Sequence, residues 1–438
     1  MSAIELQKTI FDGGLRSINF FNGRLLTARD LSQEQTVNRE ALRRLGRAEG
    51  SGVVEGLEVF KAPASTPAAP VVTVEAGLAV NSLGQALMLG NQTELTLIRP
   101  SGGATPGGST IFVTCQPPQT GNFIVGAGAY LLTIAPAQAP EGRAQTSGLT
   151  GAAACGTDVV VEGVQFRLLQ LNIIPEDLND AEHLRNRLAY KCFGADDQRP
   201  ADFLRNPIGK SLSQYGLIDD LRASCLKDED VPLAIIHWTA DGGIRFVDRW
   251  GARRRVTRPS ATERWPWFIG DRRLSEAEAM FLQFEEQLRE IRETETNLNR
   301  IAAADRFDYL PPVGLLPLTA LRVITLPFGK GGRIIGGGGI GASPIGLTVK
   351  AQVFNYQKFF EGQAYHQPVY IEWAMVEPLI RQALPYAPIS LQRKDQIKLF
   401  QVVDAEGLGP YMIFTSVHAP FQPELRFELV RWDLTNFA

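Results

Sequence analysis

The chain has 438 residues, enough for roughly two to four compact domains, with 44% apolar and 21% charged residues, an ordinary globular balance. A formal net charge of −3 excludes the strong basic bias of a typical nucleic-acid binder, so no nucleic-acid partner is expected. The N-terminus shows no basic stretch leading into an apolar one, and no run of roughly 18 apolar residues occurs, so neither a signal peptide nor a membrane-spanning helix is expected. The expectation is cytoplasmic assembly. Cys115, Cys155, Cys192 and Cys225 form no C-x-x-C pair and read as reduced, buried thiols.

In chain order, "INFFNGRLLTARDLSQEQ" (18–35) opens as an apolar, aromatic turn and becomes a charged helix. Thr27 can cap that helix, and Asp30 sits in the first turn, where the helix dipole favours an acid. Leu31, Val37, Ala41, Leu42 and Leu45 give it a patchy apolar face, and Gly46 and Gly50 mark a frayed end. "GVVEGLEV" reads as a strand kinked at Gly56, and "APASTPAAP" as a loop or hairpin tip. "VVTVEAGLAVNSLGQALMLGNQTELTLI" gives short strands with turns at Ala76-Gly77 and Leu83-Gly84. Three more strand candidates follow: "STIFVTCQ", "GAYLLTIAP" and "VVVEGVQFRLLQLNII". Residues 175–227 read as polar helices, with Leu178, Leu184, Leu188 and Cys192 at helical spacing. "VPLAIIHWTADGGIRFVD" predicts a hairpin turning at Asp241-Gly242-Gly243.

Ser275 and Glu278 suggest a capping box opening a long helix, near 276–303. Its stripe of Ala277, Phe281, Phe284, Leu288, Ile291 and Leu298 suits either packing within the chain or a helix-pairing seam between subunits. The remaining residues read as a mixed α/β domain. "LTALRVITL", "IGLTVKAQVF", "DQIKLFQVV", "PYMIFTSV" and "LRFELVRWDL" are its strands, and "VEPLIRQAL" is a short helix. The whole reads as an α+β, multidomain protein of mostly β modules. Its units are a docking segment and helix (1–51), a β-rich domain (52–174), a helical segment with a hairpin (175–274), the long helix (275–304) and a C-terminal α/β domain (305–438).

Little in this chain carries chemistry. "GGRIIGGGGIG" (331–341) matches G-x-G-x-x-G at Gly336, Gly338 and Gly341, but Pro344 and a strand-like segment follow where a dinucleotide site needs a helix. It reads as a loop, with ordering against a neighbouring subunit as a second reading. His183, His237, His366 and His418 form no metal-binding spacing, and His237 reads as a hydrogen-bonded core residue. Glu372 and Glu377, near Trp373, do not share a helix face, and no G-x-S-x-G elbow appears. No catalytic, cofactor or metal residue is assigned, and the protein is not expected to be an enzyme. Arg249, Arg253, Arg254, Arg255 and Arg258 read as a solvated strand edge or as inter-subunit ion pairs, with a polyanion site as the alternative. Trp265 and Trp267, flanking Pro266, read as a plug at a domain junction, or else as interface or ligand aromatics.

Three segments carry a resemblance. Phe20, Phe21, Asn22, Gly23, Arg24, Leu25, Leu26 and Thr27 form a Y/F-F-N-G-R-L-L-T motif. Gly52, Val53, Val54, Gly56, Leu57 and Val59 form G-V-V-x-G-L-x-V, and Val72, Val74, Gly77, Ala79 and Gly84 complete a third pattern. Together, through about residue 95, they resemble an N-terminal module of proteins from contractile, phage-tail-like injection systems. "VPLAIIHW…GGIRFVDRWGARRRV" and "FDYLPPVGLLPL" are similar to large proteins of the same kind of machine. The resemblance implies a structural subunit at the baseplate or tail tip. It implies other particle subunits as partners and a symmetric homo-oligomeric ring or cage. The implied docking interface is Phe20, Phe21, Asn22, Arg24, Leu25 and Leu26. A receptor- or glycan-binding fibre is the competing expectation, and a particle-borne hydrolase the third.

Overall fold

The computed structural model describes residue 12 and residues 14–97, 128–142, 158–171, 180–205, 214–258, 270–295, 303–317, 369–392, 397–403 and 411–417. Leu178, Trp265, Trp267, Leu298, the 331–341 loop, His366, His418, Cys115 and Cys155 lie outside them. So do the strand candidates at 109–116, 318–326, 345–354 and 425–434. Among the described residues, several small sheets and six helices make a mixed α+β fold of the multidomain kind.

Helix α1 (Ala28–Glu49) is followed by six short strands: β1 (Gly52–Gly56), β2 (Val59–Lys61), β3 (Val71–Val74), β4 (Gly77–Val80), β5 (Ala86–Leu89) and β6 (Thr93–Thr96). They form two three-stranded sheets, ordered β1-β4-β5 and β2-β3-β6. The chain changes sheet at the predicted kink. Gly56 (φ 57°) and Leu57 (φ 55°) are both left-handed, and a Cβ on Gly56 would lie 1.9 Å from the Ala76 carbonyl oxygen. The buried Leu57 holds a conformation that costs a branched side chain about 1 kcal/mol or more, which its complete burial offsets.

The central sheet takes β7 (Gly128–Glu141), β8 (Val159–Leu171), β9 (Val231–Thr239) and β10 (Gly243–Asp248), in the order β10-β9-β7-β8. One sheet therefore spans the expected boundary at 174/175. β9 is buried along nearly its whole length because it is covered on both faces. Leu132, Ile134 and Ile236 join the cluster formed with the small sheets. Ala129, Leu131 and Ile235 instead meet α2 (Ala181–Cys192) and α4 (Gly216–Arg222) through Leu184, Leu188, Cys192 and Leu221. α3 (Gln198–Arg205) lies between those helices in sequence. Burial pushes the Cys192 thiol up to about 12, leaving it an inert core thiol, whereas Cys225 is exposed, contrary to expectation.

Helix α5 (Asp271–Thr294) forms the next layer. It starts before the expected capping box. Arg272 reaches Asp219 and the Tyr215 carbonyl, Arg273 reaches the Tyr386 carbonyl, and those contacts extend the helix N-terminally. Ser275 is buried inside the helix, and Glu278 pairs with Arg255 instead. The helix ends at Glu295, where its apolar pattern breaks. Ala279 and Met280 pack on Ala189, Tyr190 and Phe193 of the α2 region. Phe284 meets Phe307 and the edge of Phe414, 5.3 Å away.

Phe414 belongs to the C-terminal sheet, ordered β12-β16-β15-β13. Its strands are β12 (Val313–Pro317), β13 (Val369–Glu372), β15 (Ile397–Val403) and β16 (Tyr411–Ser416). β11 (Tyr309–Leu310) pairs with β14 (Ile389–Ser390) beside it, and α6 (Val376–Ala383) covers the sheet through Val376, Leu379 and Ala383.

A buried polar network joins these layers. Asp248, fully buried at the end of β10, accepts Arg185 Nε at 2.9 Å, Gln283 Nε2 at 3.0 Å and the Gly251 amide at 2.6 Å. Arg185 also binds Glu290, and Arg249 binds Glu286 (2.8 Å) and Glu58. Desolvation raises the Glu286 carboxyl, against the pull of both arginines.

Asp248→Asn keeps the shape but leaves Arg185 without its central counter-charge. We expect a loss of about 3–5 kcal/mol in urea unfolding, the cost of breaking a buried pair from one side. Glu285 gives a pH signature. Burial pushes its carboxyl up to about 7, so the folded state holds a proton that the unfolded chain has released. Stability from this site falls as pH rises from the ordinary carboxylate value through about 7. Glu285→Gln is expected to melt higher than the parent at pH 8, with that advantage gone at pH 4.

Candidate functional site

The N-terminal hook is built by polar bonds while its apolar side chains face outward. Gly23, at φ 94°, turns the chain so that the Arg24 amide donates to the Phe21 carbonyl at 3.2 Å. Arg24 then clamps the turn, donating to the Asn19 carbonyl at 2.9 Å and to Asp30 at 2.8 Å. Thr27 and Asp30 form the expected cap reciprocally. The Thr27 side chain, its amide and Arg24 together hold the Asp30 carboxyl at about 2. Upstream, the Ile18 amide reaches Glu34 and Gln33 reaches the Arg16 carbonyl, folding the segment back along α1.

The side chains left outside are large. Phe20 is 51% exposed, Phe21 62%, Leu25 90% and Leu26 52%. Asn22 is exposed too, and Arg24, half-buried, is used to shape the turn. No residue of α1 is buried, and Leu31, Leu42 and Leu45 are each more than half exposed. A helix of this length gains most of its stability by burying an apolar face, and this face is open.

The link to the body is backbone against backbone. Gly46 is not a frayed end: it lies inside α1, which stops at Gly50. A Cβ on Gly46 would sit 2.3 Å from the Gly84 carbonyl oxygen, and one on Gly84 would sit 2.0 Å from that of Arg43. The helix thus rests on the β4–β5 turn. A lone glycine within a helical pattern was the available signal for such a close approach.

The other candidate residues sit elsewhere. Phe284, Leu288 and Ile291 of the proposed seam are buried, with Phe281 half-buried, so this stripe is covered by its own chain. The arginine run divides: Arg249, Arg253 and Arg254 are turned inward, whereas Arg255 and Arg258 are exposed, Arg255 pairing with Glu278 at the surface. Arg249 pairs with Glu58 and Glu286, Arg253 donates to the Gly56 carbonyl, and Arg254 caps carbonyls of 250, 251 and 253 over the Phe193 ring. His237 is buried as expected but its Nδ1 has no hydrogen-bond partner, and desolvation lowers its pKa. His183 bridges Asp180 and the Ala304 carbonyl. Glu377 is exposed and pairs with Arg381.

Among the described residues, no group of three or more His, Cys, Asp or Glu is placed to hold a metal ion, and no helix is long and apolar enough to cross a membrane. The sequence matches no protein-family model and no curated protein.

Gly84→Ala forces the left-handed turn and the Arg43 carbonyl apart. We expect amides of 28–49 to exchange hydrogen faster while those of the central sheet keep their protection, read by mass spectrometry.

Proposed function

We propose that this chain is a structural subunit of a contractile, phage-tail-like injection apparatus, placed at the baseplate or tail tip. It acts by docking and multivalent self-assembly, with no bond made or broken. The observation that carries the reading is the hook: Phe20, Phe21, Leu25 and Leu26 stand in solvent on a turn that Arg24, Thr27 and Asp30 hold rigid. Large exposed apolar side chains clustered in one short segment suit an interaction site. The exposed leucines of α1 extend the same apolar offer along the helix. The resemblance of the first strands to modules of such machines supports the same reading.

In this proposal the partners are other particle subunits and further copies of the chain, arranged in a ring or cage and assembled in the cytoplasm. Each large side chain buried on docking contributes about 1.5–3 kcal/mol. A closed ring multiplies modest contacts, because each new contact forms at high effective concentration.

The double substitution Phe20→Ser, Phe21→Ser tests this. Circular dichroism and melting should stay close to the parent, since both rings are more than half exposed and the turn is held by polar bonds. Incorporation into particles, scored by negative-stain imaging and co-sedimentation, should fall about a hundredfold or more. A variant that incorporates like the parent sinks the proposal, and one that unfolds would assign the pair to an internal core.

A further inference from the structure

A cleft of about 460 Å³ opens where the C-terminal end of α1, β1, the start of β9, α4 and the first turns of α5 converge. Five arginines line it: Arg47, Arg222, Arg254, Arg258 and Arg272. Three acids face them, Asp219, Asp230 and Glu276, so the lining carries a net charge of +2 (five minus three).

The acids are already engaged. Asp219 accepts from Arg272 at 2.7 Å and from the Tyr215 amide at 2.9 Å. Asp230 accepts from Arg167, from Thr133 and from the Lys227 amide. Glu276 accepts from the Tyr215 hydroxyl at 2.6 Å and from Arg272 at 2.9 Å. The cations are less evenly matched. Arg47 pairs with Glu40 and Arg272 with the acids just named. Arg254 donates to three backbone carbonyls, and of the acids in the lining Glu276 acts on its charge.

Two buried donors in this lining have no hydrogen-bond partner: Arg222 Nη1 and Ser275 Oγ. Arg222 Nη1 lies 3.9 Å from Asp228, beyond hydrogen-bond reach, while Asp219 and Asp230 also act on its charge. Ser275 is 2% exposed, and its hydroxyl belongs to the helix whose start the sequence pattern misplaces. A buried donor left unmade costs about 1–3 kcal/mol, so two in one cleft need an account.

We propose that this cleft binds a small organic phosphate. The phosphate group would accept from Arg222 and Ser275 within the positive field of Arg254 and Arg258. Donors arriving from two different helices suit a tetrahedral dianion better than a flat carboxylate, which pairs best with one guanidinium edge-on. The cleft is far larger than the anion alone. Its Ile218, Val231, Pro232 and Ala252 walls give an apolar body somewhere to lie. The inference stands independently of the assembly role and uses none of the hook residues.

The test is calorimetric titration of the full chain with inorganic phosphate and with phenyl phosphate, against citrate at matched ionic strength. Both phosphates should bind saturably and compete, phenyl phosphate about tenfold tighter. Citrate should not compete. Arg222→Gln should weaken both about tenfold or more, and Ser275→Ala several-fold, while Arg39→Gln on the α1 surface changes neither. Should Arg222→Gln fail to fold, Ser275→Ala carries the test, since it removes one atom that has no partner. Saturable binding that both variants retain, equal binding of citrate, or no binding of either phosphate would overturn the proposal.

Discussion

One carboxylate organises the described part of this protein. Asp248 ends the outer strand of the central sheet and accepts hydrogen bonds from α2, from α5 and from its own following turn. Three elements distant in sequence therefore have to meet at one buried point. The next residue, Arg249, links Glu286 of α5 to Glu58, beside β2. Burying such charges yields little net stability compared with an apolar core of equal volume. What it supplies here is register: α5 can neither slide nor rotate without stranding a charge. The apolar layers on either side set how strongly the elements adhere, and the network sets where.

That division of labour explains the layering. The central sheet uses one face for the small sheets and the other for α2 and α4, so its middle strand is apolar almost throughout. α5 is then covered by the α2 region on one side and by Phe307 and Phe414 on another. With its apolar stripe spent internally, α5 differs from α1, which is of similar length and buries nothing. Two long helices in one chain thus take opposite roles, one as a core beam and one as an outward surface.

Local signals were legible in the sequence, and long-range ones were not. The Thr27–Asp30 cap, the kink at Gly56, the turn at Gly242-Gly243 and the α6 helix each depend on a few adjacent residues, and each is present. Within the arginine run, the burial of Arg249 was not legible because its partners lie far away in the chain, Glu58 on one side and Glu286 on the other. The Ser275–Glu278 pattern had the right spacing for a cap, yet Arg272 and Arg273 found tertiary partners and moved the helix start. β12 and β13 escaped notice because each is short and bounded by proline or an aromatic, with little alternation to read. The hook was recognisable as a motif, and the docking role its resemblance implies agrees with the exposure of its apolar side chains; the Arg24 clamp that shapes it was not legible. The polyanion reading of the arginine run touched two residues of the cleft, but its full lining was not legible, because it gathers residues from elements spread between α1 and α5.

The hook's hydrogen bonds bear on kinetics. A loop that must fold on its target surrenders backbone freedom at the moment of contact, and its capture is slowed accordingly. Here Gly23 and Arg24 have fixed the turn beforehand, so capture is governed by collision and orientation. If the chain docks as proposed, it would add to its assembly quickly and in one pose. The corresponding hazard is that its sticky tip is also ready for any wrong surface it meets first.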